Sequence, residues 1–322
     1  MALKPKLKIR IGSRPSKLAL VQASMVRERL AAQTSGTGAD VEIVEIRTSG
    51  DKMTSAALAQ VGGKGLFIKE LEQALAERKI DAAVHSMKDL PALLAAQFRV
   101  AAVPAREITA DILVTRDGRE LSALPAGARL GTSSPRRRFQ ALRMNPGLAI
   151  EALRGNVDTR LGRVADGSLD AIIIAMAGVK RLGRVRDVKF VELDGRDFIP
   201  AGGQGALAIE TIADRDDLAS NELNRALAAI NDARAFYETA AERSFLAAID
   251  ASCTTPVGVR ASIVGETLAL AAILFSPDGE RELSESMEEP IAPDLAPPAA
   301  EISGKRLAER MLARGAAAIL RS

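Results

Sequence analysis

The stretch Lys8-Ile9-Arg10-Ile11-Gly12-Ser13-Arg14-Pro15-Ser16 indicates the fold class of this chain. Apolar and polar residues alternate at its start, which predicts a strand over 7–12. The residues that follow predict a helix over 16–33, so the strand leads directly into a helix. Strands that alternate with helices are typical of α/β proteins.

The same alternation continues along the chain and changes character after Pro104 and again after Pro200-Ala201-Gly202-Gly203. Further strands are predicted over 41–47, 81–86, 99–103, 111–115, 129–132, 148–153, 170–175, 206–211, 257–263 and 267–275. Further helices are predicted over 66–79, 136–144, 157–166, 217–229, 233–249 and 300–320. The pattern therefore predicts three domains, of which the first two are α/β lobes.

The 322-residue chain contains one cysteine, Cys253, and one histidine, His85. These counts exclude disulfide scaffolds, Cys-x-x-Cys redox proteins and clustered zinc sites, so no metal site is predicted. The longest apolar runs, 171–177 and 268–275, are far shorter than the roughly 20 residues of a membrane-spanning helix. The sequence therefore predicts a soluble protein, and its basic, alternating N-terminus predicts a cytoplasmic one.

The formal net charge of +3 conceals an uneven distribution of basic residues. Between residues 129 and 186, eleven arginines and one lysine outnumber four acidic residues, which gives a local net charge of +8. Arginine suits bidentate hydrogen bonds to carboxylate or phosphate, so this block favours an anionic ligand. A solvated charged surface is the alternative interpretation.

Three segments, 11–16, 130–137 and 153–156, each combine a strand end, a helix N-terminus and arginine; Arg160 follows the third. Helix N-termini present N–H groups and the positive end of the helix dipole to anions. Ordinary N-capping by Ser, Thr or Asn is the alternative for each segment. Together the three segments favour a polyanionic ligand held between two α/β lobes.

The segment Ala83-Val84-His85-Ser86-Met87-Lys88-Asp89-Leu90-Pro91 places three ionisable side chains at the end of a strand. Lys88 beside Asp89 is expected to keep the carboxylate ionised, which suits a group that stabilises a developing cation or exchanges a proton. A buried structural role for His85 is the alternative, as is a surface ion pair between Lys88 and Asp89.

Two glycine-rich segments are further candidates. Val61-Gly62-Gly63-Lys64-Gly65 lacks the spacing of a phosphate-binding loop, and 48–65 is interpreted as a mobile lid that carries Lys64. Gly202-Gly203-Gln204-Gly205 is interpreted as a hinge that brings Gln204 near the ligand, with a simple turn as the alternative.

Dispersed motifs along nearly the whole chain resemble, in order, those of the porphobilinogen deaminase (hydroxymethylbilane synthase) family. They are 14–20, 61–67, 85–89, 131–134, 153–157, 203–206, 241–243 and 253–257. The resemblance implies a transferase that joins four porphobilinogen units head to tail, with loss of ammonia each time. It also implies that hydrolysis then releases the linear tetrapyrrole hydroxymethylbilane, as part of porphyrin and haem biosynthesis. The resemblance further implies that the enzyme is a monomer.

The resemblance further implies a dipyrromethane cofactor, made from two substrate units and attached through a thioether to Cys253. The product would grow on this anchor and carry two carboxylates per ring. The Arg-rich block would then bind acetate and propionate groups through charge-assisted hydrogen bonds.

The implied fold has two periplasmic-binding-protein-like lobes with a hinge, and a smaller α+β C-terminal domain that carries the cofactor cysteine. Domain 1, the catalytic lobe, is predicted to comprise 1–104 and 205–222. Domain 2, the Arg-rich lobe, is predicted over 105–204, and domain 3 over 223–322.

By the same resemblance, Asp89 matches the catalytic aspartate, which stabilises the azafulvenium cation formed when ammonia leaves. The residues expected to bind the cofactor are Lys88, Ser86, Thr132, Ser133, Ser134, Arg136, Arg137, Arg181 and Asp51. The residues expected to bind substrate are Arg14, Ser16, Gln22, Lys64, Phe67, Arg154, Arg160 and Gln204.

The sequence departs from the family pattern at several positions. Ala251-Ser252 stand where two glycines usually precede the cysteine, which leaves open the geometry of the turn before Cys253. Lys17, Ser49 and Pro135 also depart from the pattern, and none of these changes removes a charge that the mechanism requires.

Two rival functions fit parts of the sequence. A two-lobed binding protein or effector domain would need neither Cys253 nor Asp89. Nucleic-acid binding is the second rival, but one tyrosine and eight phenylalanines in 322 residues are few for base stacking. The resemblance implies porphobilinogen as the partner, and neither nucleic acid nor a membrane is expected as one.

Overall fold

The computed structural model describes residues 8–34, 39–49, 68–193, 195, 197–214, 218–252 and 254–320. The strands in these ranges are β1 (Lys8–Ser13), β2 (Asp40–Glu45), β3 (Ala82–Ser86), β4 (Phe98–Ala102), β5 (Asp111–Thr115), β6 (Arg129–Gly131), β7 (Ala149–Glu151), β8 (Ala171–Ala175), β9 (Lys189–Leu193), β10 (Leu207–Ile212), β11 (Val257–Val264), β12 (Thr267–Phe275) and β13 (Glu282–Pro290).

The α-helices in the same ranges are α1 (Lys17–Thr34), α2 (Lys69–Ala76), α3 (Pro135–Met144), α4 (Val157–Ala165), α5 (Met176–Arg181), α6 (Leu218–Ile230), α7 (Ala233–Ala248), α8 (Pro297–Ala313) and α9 (Ala316–Leu320). Short 3-10 turns lie at Met87–Asp89, Leu121–Ala123 and Val185–Asp187. The chain divides into a first unit, 1–106 with 206–236, and a second unit, 107–205 with 237–322.

The first unit contains a five-stranded sheet in the order β2-β1-β3-β10-β4. Strand β1 is parallel to β2 and β3, whereas β10 runs antiparallel to both of its neighbours, β3 and β4. Because β1 and β3 are parallel, the residues that follow Ser13 and Ser86 lie at the same edge of the sheet. Arg14, Ser16, Lys88 and Asp89 follow these two strands and therefore lie at this edge.

Helices cover both faces of this sheet. On one face, Ile9, Val84 and Ile209 pack against α1 and α6. On the other face, Leu71 and Leu75 of α2 pack against the sheet. Side chains along a strand alternate between the two faces of the sheet. Because helices cover both faces, the apolar side chains on each face are packed against a helix.

Helix α6 packs within the first unit beyond the predicted end of domain 1. Leu223, Ala226 and Leu227 are buried in the cluster that contains Ile9. The three-domain division stays a prediction, and these contacts favour an end of the first lobe near the end of α6 rather than at residue 222.

The second unit contains a five-stranded sheet in the order β7-β6-β8-β5-β9. Strand β6 is parallel to β7 and β8, and β5 is antiparallel to β8 and β9. Both five-stranded sheets therefore have one antiparallel strand in fourth place. In the first unit this strand is β10, and in the second unit it is β5.

The second unit also contains the antiparallel sheet β11-β12-β13. Helices α7 and α8 pack on it, and Tyr237 and Phe245 of α7 are fully buried there. Phe275 of β12 contacts Phe139 of α3, with ring centroids 5.7 Å apart. The fold class is confirmed as two α/β lobes and a smaller domain with its own sheet.

Most predicted elements are confirmed within a few residues, and two strands, β5 over 111–115 and β12 over 267–275, match their predicted bounds. Strands β9 and β13 and helix α5 were not predicted. The last helix, predicted as one segment over 300–320, is interrupted at Gly315, whose φ of 96° lies in the left-handed region.

Gly304 of α8 lies directly against the backbone of α7. A Cβ atom at this position would lie 2.1 Å from the Ala241 carbonyl oxygen. We expect Gly304→Ala to lower the free energy of unfolding by about 1–3 kcal/mol, because the added methyl group forces two backbones apart.

Gly162→Ala is the matched control, since Gly162 lies in α4 and a Cβ there would meet no atom within 4 Å. It should raise the free energy of unfolding by about 0.5–1 kcal/mol. Urea unfolding followed by circular dichroism measures both variants. If the two variants had equal free energies of unfolding, the close packing of the α8 backbone against the α7 backbone would be contradicted.

Candidate functional site

The turn between β1 and α1 positions the first group of predicted residues. The Ser16 Oγ atom accepts a hydrogen bond from the Ala19 N–H at 3.3 Å, and the Ser16 carbonyl accepts one from Leu20 N–H at 2.9 Å. Ser16 is therefore the N-cap of α1. The capping interpretation holds for this segment, and Arg14 is carried on the same turn.

The end of β3 positions the second group. The Ser86 hydroxyl and the Gln22 side-chain amide are hydrogen-bonded, with Gln22 Nε2 to Ser86 Oγ at 2.8 Å. The Met87 N–H donates to the Ala206 carbonyl at 3.0 Å, which ties the 3-10 turn Met87–Asp89 to the start of β10. Asp89 itself is exposed at the end of this turn.

These two turns enclose one cavity in the first unit. Its lining includes five predicted residues: Arg14, Ser16, Gln22, Ser86 and Asp89. It also includes His85 and the apolar residues Leu18, Ala19, Ile68 and Val84. Gln22 and Ser86 were predicted on the substrate and cofactor sides respectively, and their hydrogen bond places them at one wall. Lys88 lies beside this lining, half-buried on the same turn as Asp89.

A buried charge cluster organises the second unit around Asp111, whose side chain has no solvent exposure. Arg137 contacts Asp111 Oδ1 through Nη2 at 2.6 Å and Nε at 3.0 Å. Arg136 Nη1 lies 2.8 Å from Asp111 Oδ2 and donates to the Ile199 carbonyl, also at 2.8 Å. Burial lowers the pKa of Arg136, and the Asp111 carboxylate opposes this shift.

Gln204 belongs to the same cluster. It is fully buried, and its Nε2 donates to the Thr109 carbonyl at 2.7 Å and to Asp111 Oδ1 at 3.1 Å. The Gly203 N–H next to it donates to Glu242 at 2.6 Å. The predicted hinge segment is thus fixed inside the second unit by buried hydrogen bonds, and contact of Gln204 with substrate stays a prediction.

In this unit too, the segments predicted at helix N-termini each contain an N-cap residue. Ser134 Oγ accepts from Arg137 N–H, and Asn156 Oδ1 accepts from Thr159 N–H at 2.8 Å. Ser133 Oγ donates to the Leu153 carbonyl at 2.9 Å, which joins the first of these segments to the second. Thr132 is buried beside them.

Three predicted arginines of the second unit lie outside the Asp111 cluster. Arg154 is exposed and Arg160 half-buried, with Arg160 Nε donating to the Gly155 carbonyl at 2.8 Å. Arg181 Nη2 donates to the Gly205 carbonyl at 2.6 Å. These positions keep cationic side chains near the ends of β7, α4 and α5.

Four predicted site residues lie outside the described residues: Asp51, Lys64, Phe67 and Cys253. The turn next to Cys253 is described on both sides. Ala251 and Ser252 have no positive φ, and the Ser252 hydroxyl lies 2.9 Å from Thr254 Oγ1 and 3.2 Å from Thr255 Oγ1. The turn therefore forms without glycine at either position.

Sequence reasoning missed two residues that matter for these sites, Asp111 and Glu210. Both are fully buried carboxylates in apolar strands. The sequence contained a signal for each of them, which is an acidic residue inside an apolar strand. Such a residue, when buried, needs a cation or a hydrogen-bond donor beside it. The partners, Arg136, Arg137 and His85, were singled out for other reasons.

Comparison with known proteins identifies the family. Residues 9–220 match the family model described as porphobilinogen deaminase, dipyromethane cofactor binding domain. Residues 236–313 match the model of the porphobilinogen deaminase C-terminal domain. The chain belongs to the porphobilinogen deaminase family.

Bacterial relatives are similar along almost their whole length. The porphobilinogen deaminase of Syntrophotalea carbinolica is 42% identical over 97% of this chain and 95% of its own. Porphobilinogen deaminase 1 of Streptomyces coelicolor is 42% identical over 97% of each. A solved Bacillus subtilis extracellular binding protein of a probable amino-acid transporter is 12% identical, with a TM-score of 0.42 over 70% of this chain and 92% of its own.

Family membership confirms the predicted enzyme class, a transferase that forms hydroxymethylbilane in tetrapyrrole biosynthesis and uses a dipyrromethane cofactor. Porphobilinogen is the substrate that this family implies. Among the helices of the described ranges, none combines the length and apolar character of a membrane span. Within those ranges no three metal-binding side chains gather into a metal site.

The Asp111 cluster makes a stability prediction. Asp111→Ala should lower the free energy of unfolding by about 3–5 kcal/mol, because it leaves two buried guanidinium groups without their carboxylate. Urea unfolding followed by circular dichroism measures the change.

Asp117→Asn is the control, since Asp117 is an exposed carboxylate of the same unit that pairs with Arg119. This variant should keep the wild-type midpoint, because exposed ion pairs contribute little. If Asp111→Ala unfolds at the same midpoint as Asp117→Asn, the buried pairing contributes less to the free energy of unfolding than expected.

Proposed function

We propose that the first-unit cavity binds porphobilinogen and that Asp89 is its catalytic carboxylate. The supporting observation is that Asp89 lines this cavity together with Arg14, Ser16 and Gln22. The backbone that carries Asp89 is fixed by the hydrogen bond from the Met87 N–H to the Ala206 carbonyl, just before β10, so the carboxylate projects from a supported turn. Such support is what a preorganised electrostatic group requires.

The role proposed for Asp89 follows from the charge that develops in the substrate. When ammonia leaves the aminomethyl group, the remaining pyrrole becomes a delocalised cation with an acidic N–H. A carboxylate at hydrogen-bond distance from that N–H stabilises the cation and costs little reorganisation. Arg14 carries the opposite charge at the same cavity and suits the acetate and propionate groups of the substrate.

The remaining substrate residues are proposed from the family resemblance. Ser16 and Gln22 lie in the cavity lining, and both offer hydrogen bonds to a polar ligand. Arg154, Arg160, Gln204, Lys64 and Phe67 complete the proposed set. The two arginines supply further cationic side chains for substrate carboxylates.

The donor set of the described residues fits a cofactor that carries carboxylates. Ser133 is exposed at the N-terminus of α3, where first-turn N–H groups and the helix dipole favour anions. Lys88 adds an ammonium group beside Asp89. Arg136 and Arg137 would share their guanidinium groups between such carboxylates and Asp111. The dipyrromethane, when bound, supplies the acceptor carbon to which substrate units are added.

We propose that Lys88, Ser86 and the 132–134 hydroxyl groups orient the cofactor, with Arg136, Arg137, Arg181 and Asp51. Cys253 is the proposed point of thioether attachment. The Ser252, Thr254 and Thr255 hydroxyl contacts support this proposal, because they fix the backbone on both sides of the cysteine.

We propose a cytoplasmic monomer that binds neither nucleic acid nor a membrane. The low aromatic content supports the nucleic-acid part of this proposal. Light scattering after size exclusion measures the oligomeric state directly.

Asp89→Asn tests the proposed catalytic role. The amide keeps the size of the side chain and removes its charge, so kcat should fall by about 100- to 1000-fold. The measurement is the rate of hydroxymethylbilane formation at saturating porphobilinogen.

Asp40→Asn is the control, because Asp40 is an exposed carboxylate of β2 in the same unit. It should leave kcat at the wild-type value. Wild-type turnover of Asp89→Asn would show that the catalytic carboxylate is elsewhere.

Cys253→Ser tests the proposed anchor. The intact mass of the denatured wild-type protein should exceed that of the bare sequence by one dipyrromethane group, because a thioether survives denaturation. The variant should have the bare mass. Ser284→Ala, at an exposed position of β13, is the control and should leave the added mass in place. A cofactor still attached to Cys253→Ser would require another attachment residue.

A further inference from the structure

The two five-stranded sheets repeat one another position by position. In the second strand of each sheet, an arginine bonds through its N–H, Nε and Nη2 to an aspartate that precedes the third strand. These pairs are Arg10 with Asp81 and Arg129 with Asp170. The N-cap serines, a buried glutamine in each following helix, and the methionine N–H that bonds the carbonyl before the fourth strand also correspond. They are Ser16 and Ser134, Gln22 and Gln140, and Met87 and Met176.

This correspondence shows which side chains of the second unit are at ligand-facing positions. Counted from the N-cap serine of each helix, Arg136 and Arg137 stand where the first unit has Leu18 and Ala19. Leu18 and Ala19 line the cavity that contains Asp89. The two arginines begin α3 at the edge where β6 and β8 end, and ligands of open α/β sheets bind at this edge.

Asp111 is the third position at which an apolar residue of the first unit becomes charged in the second. It lies opposite Ala175, the last residue of β8, just as Leu207 lies opposite Ser86, the last residue of β3. Leu207 is buried at its position, so a sheet of this topology does not require a carboxylate there. The acidic side chain of Asp111 therefore serves the two arginines beside it.

This buried cluster holds two guanidinium groups and one carboxylate. The side chains of Arg136 and Arg137 are 5% and 9% exposed, and Asp111 pairs with both. Burial lowers the pKa of Arg136, the Asp111 carboxylate raises it, and the like charge of Arg137 lowers it again. Buried charge is costly unless it is paired, so one further carboxylate would complete a neutral cluster.

Asp111 also sets the direction of both guanidinium groups. Arg137 Nε and Nη2 both donate to Asp111 Oδ1, which leaves Arg137 Nη1 without an acceptor among the described residues. Arg136 Nη1 is held between Asp111 Oδ2 and the Ile199 carbonyl, at 2.8 Å from each. Gln204 Nε2 donates to Asp111 Oδ1 at 3.1 Å and so fixes the carboxylate itself. The cluster thus presents an oriented donor to an anionic ligand.

We propose that Asp111 positions Arg136 and Arg137 to bind one carboxylate of the dipyrromethane, which supplies the negative charge that the cluster lacks. The proposal rests on the cofactor role proposed for the two arginines. Asp111 is a positioning residue, since it acts through them and not on the cofactor. In a purely structural role, its loss would slow cofactor loading no more than any equal loss of stability.

The rate of cofactor loading tests this role without reference to turnover. Full-length protein prepared without cofactor gains the mass of one dipyrromethane when porphobilinogen is supplied, and the denatured intact mass follows this gain. We expect Asp111→Asn to load about tenfold more slowly, because the oriented, charge-assisted hydrogen bonds to the cofactor are weakened. Asp111→Glu keeps the charge that the fold needs and moves its oxygens by one methylene, so it should fold and also load slowly.

Ile112→Ala is the matched control. Ile112 is the next residue of β5, is fully buried, and packs in a core cluster on the opposite face of the sheet. The cavity that this variant leaves should lower the free energy of unfolding, as the loss of Asp111 does. At a temperature where circular dichroism shows each variant to be folded, Ile112→Ala should load at the wild-type rate. A folded Asp111 variant that loads as fast as Ile112→Ala would refute the positioning role.

Arg137→Gln separates this failure from a failure of the proposed function. It should load as slowly as Asp111→Asn, and the double variant should be no slower than the slower single variant, because the two residues act as one unit. Slow loading of Arg137→Gln with fast loading of Asp111→Asn would overturn the positioning role alone. Wild-type loading of Arg137→Gln would show that this arginine does not hold the cofactor, which overturns both proposals.

Discussion

Each five-stranded sheet contains a carboxylate with no solvent exposure on its antiparallel fourth strand. In the second unit this is Asp111 on β5, and in the first unit it is Glu210 on β10. A buried carboxylate is costly unless a cation or several donors lie beside it, so each one constrains its neighbours. Asp111 fixes the start of α3 through Arg136 and Arg137, and with it the hydroxyl groups that precede this helix. Glu210 fixes the ring of the one histidine in the chain.

The pairing with Asp111 changes the interpretation of the Arg-rich block at 129–186. Its local charge of +8 suggests a surface that binds anions, but Arg136 and Arg137 are buried and paired with Asp111. Part of the charge therefore supports the fold of the second unit. Arg154, exposed after β7, and Arg160, half-buried in α4, are better placed to meet a ligand from solvent.

The sequence was sufficient for elements whose signal is local. The 111–115 strand was predictable because an apolar β-branched run is bounded by polar residues, and the capping role of Ser16 because a serine precedes an apolar helical pattern. Strand β13 was not predictable from the sequence, because it is rich in acidic residues and buries mainly Leu283 and Met287 against β12. The Asp111 cluster was also out of reach, because its members are far apart in sequence and only the sheet order brings them together.

The cavity in the first unit has the same dependence on distant segments. Its walls come from the turn after β1 and the turn after β3, but the turn that carries Asp89 is tied to the Ala206 carbonyl, and His85 is held by Glu210. These contacts come from Ala206 and from strand β10, which lies between β3 and β4 and follows the strands of the second five-stranded sheet in the sequence. Residues 1–106 alone therefore cannot complete the Asp89 site. The return of the chain at 206–212 supplies the carbonyl that supports the Asp89 turn and the carboxylate that contacts His85.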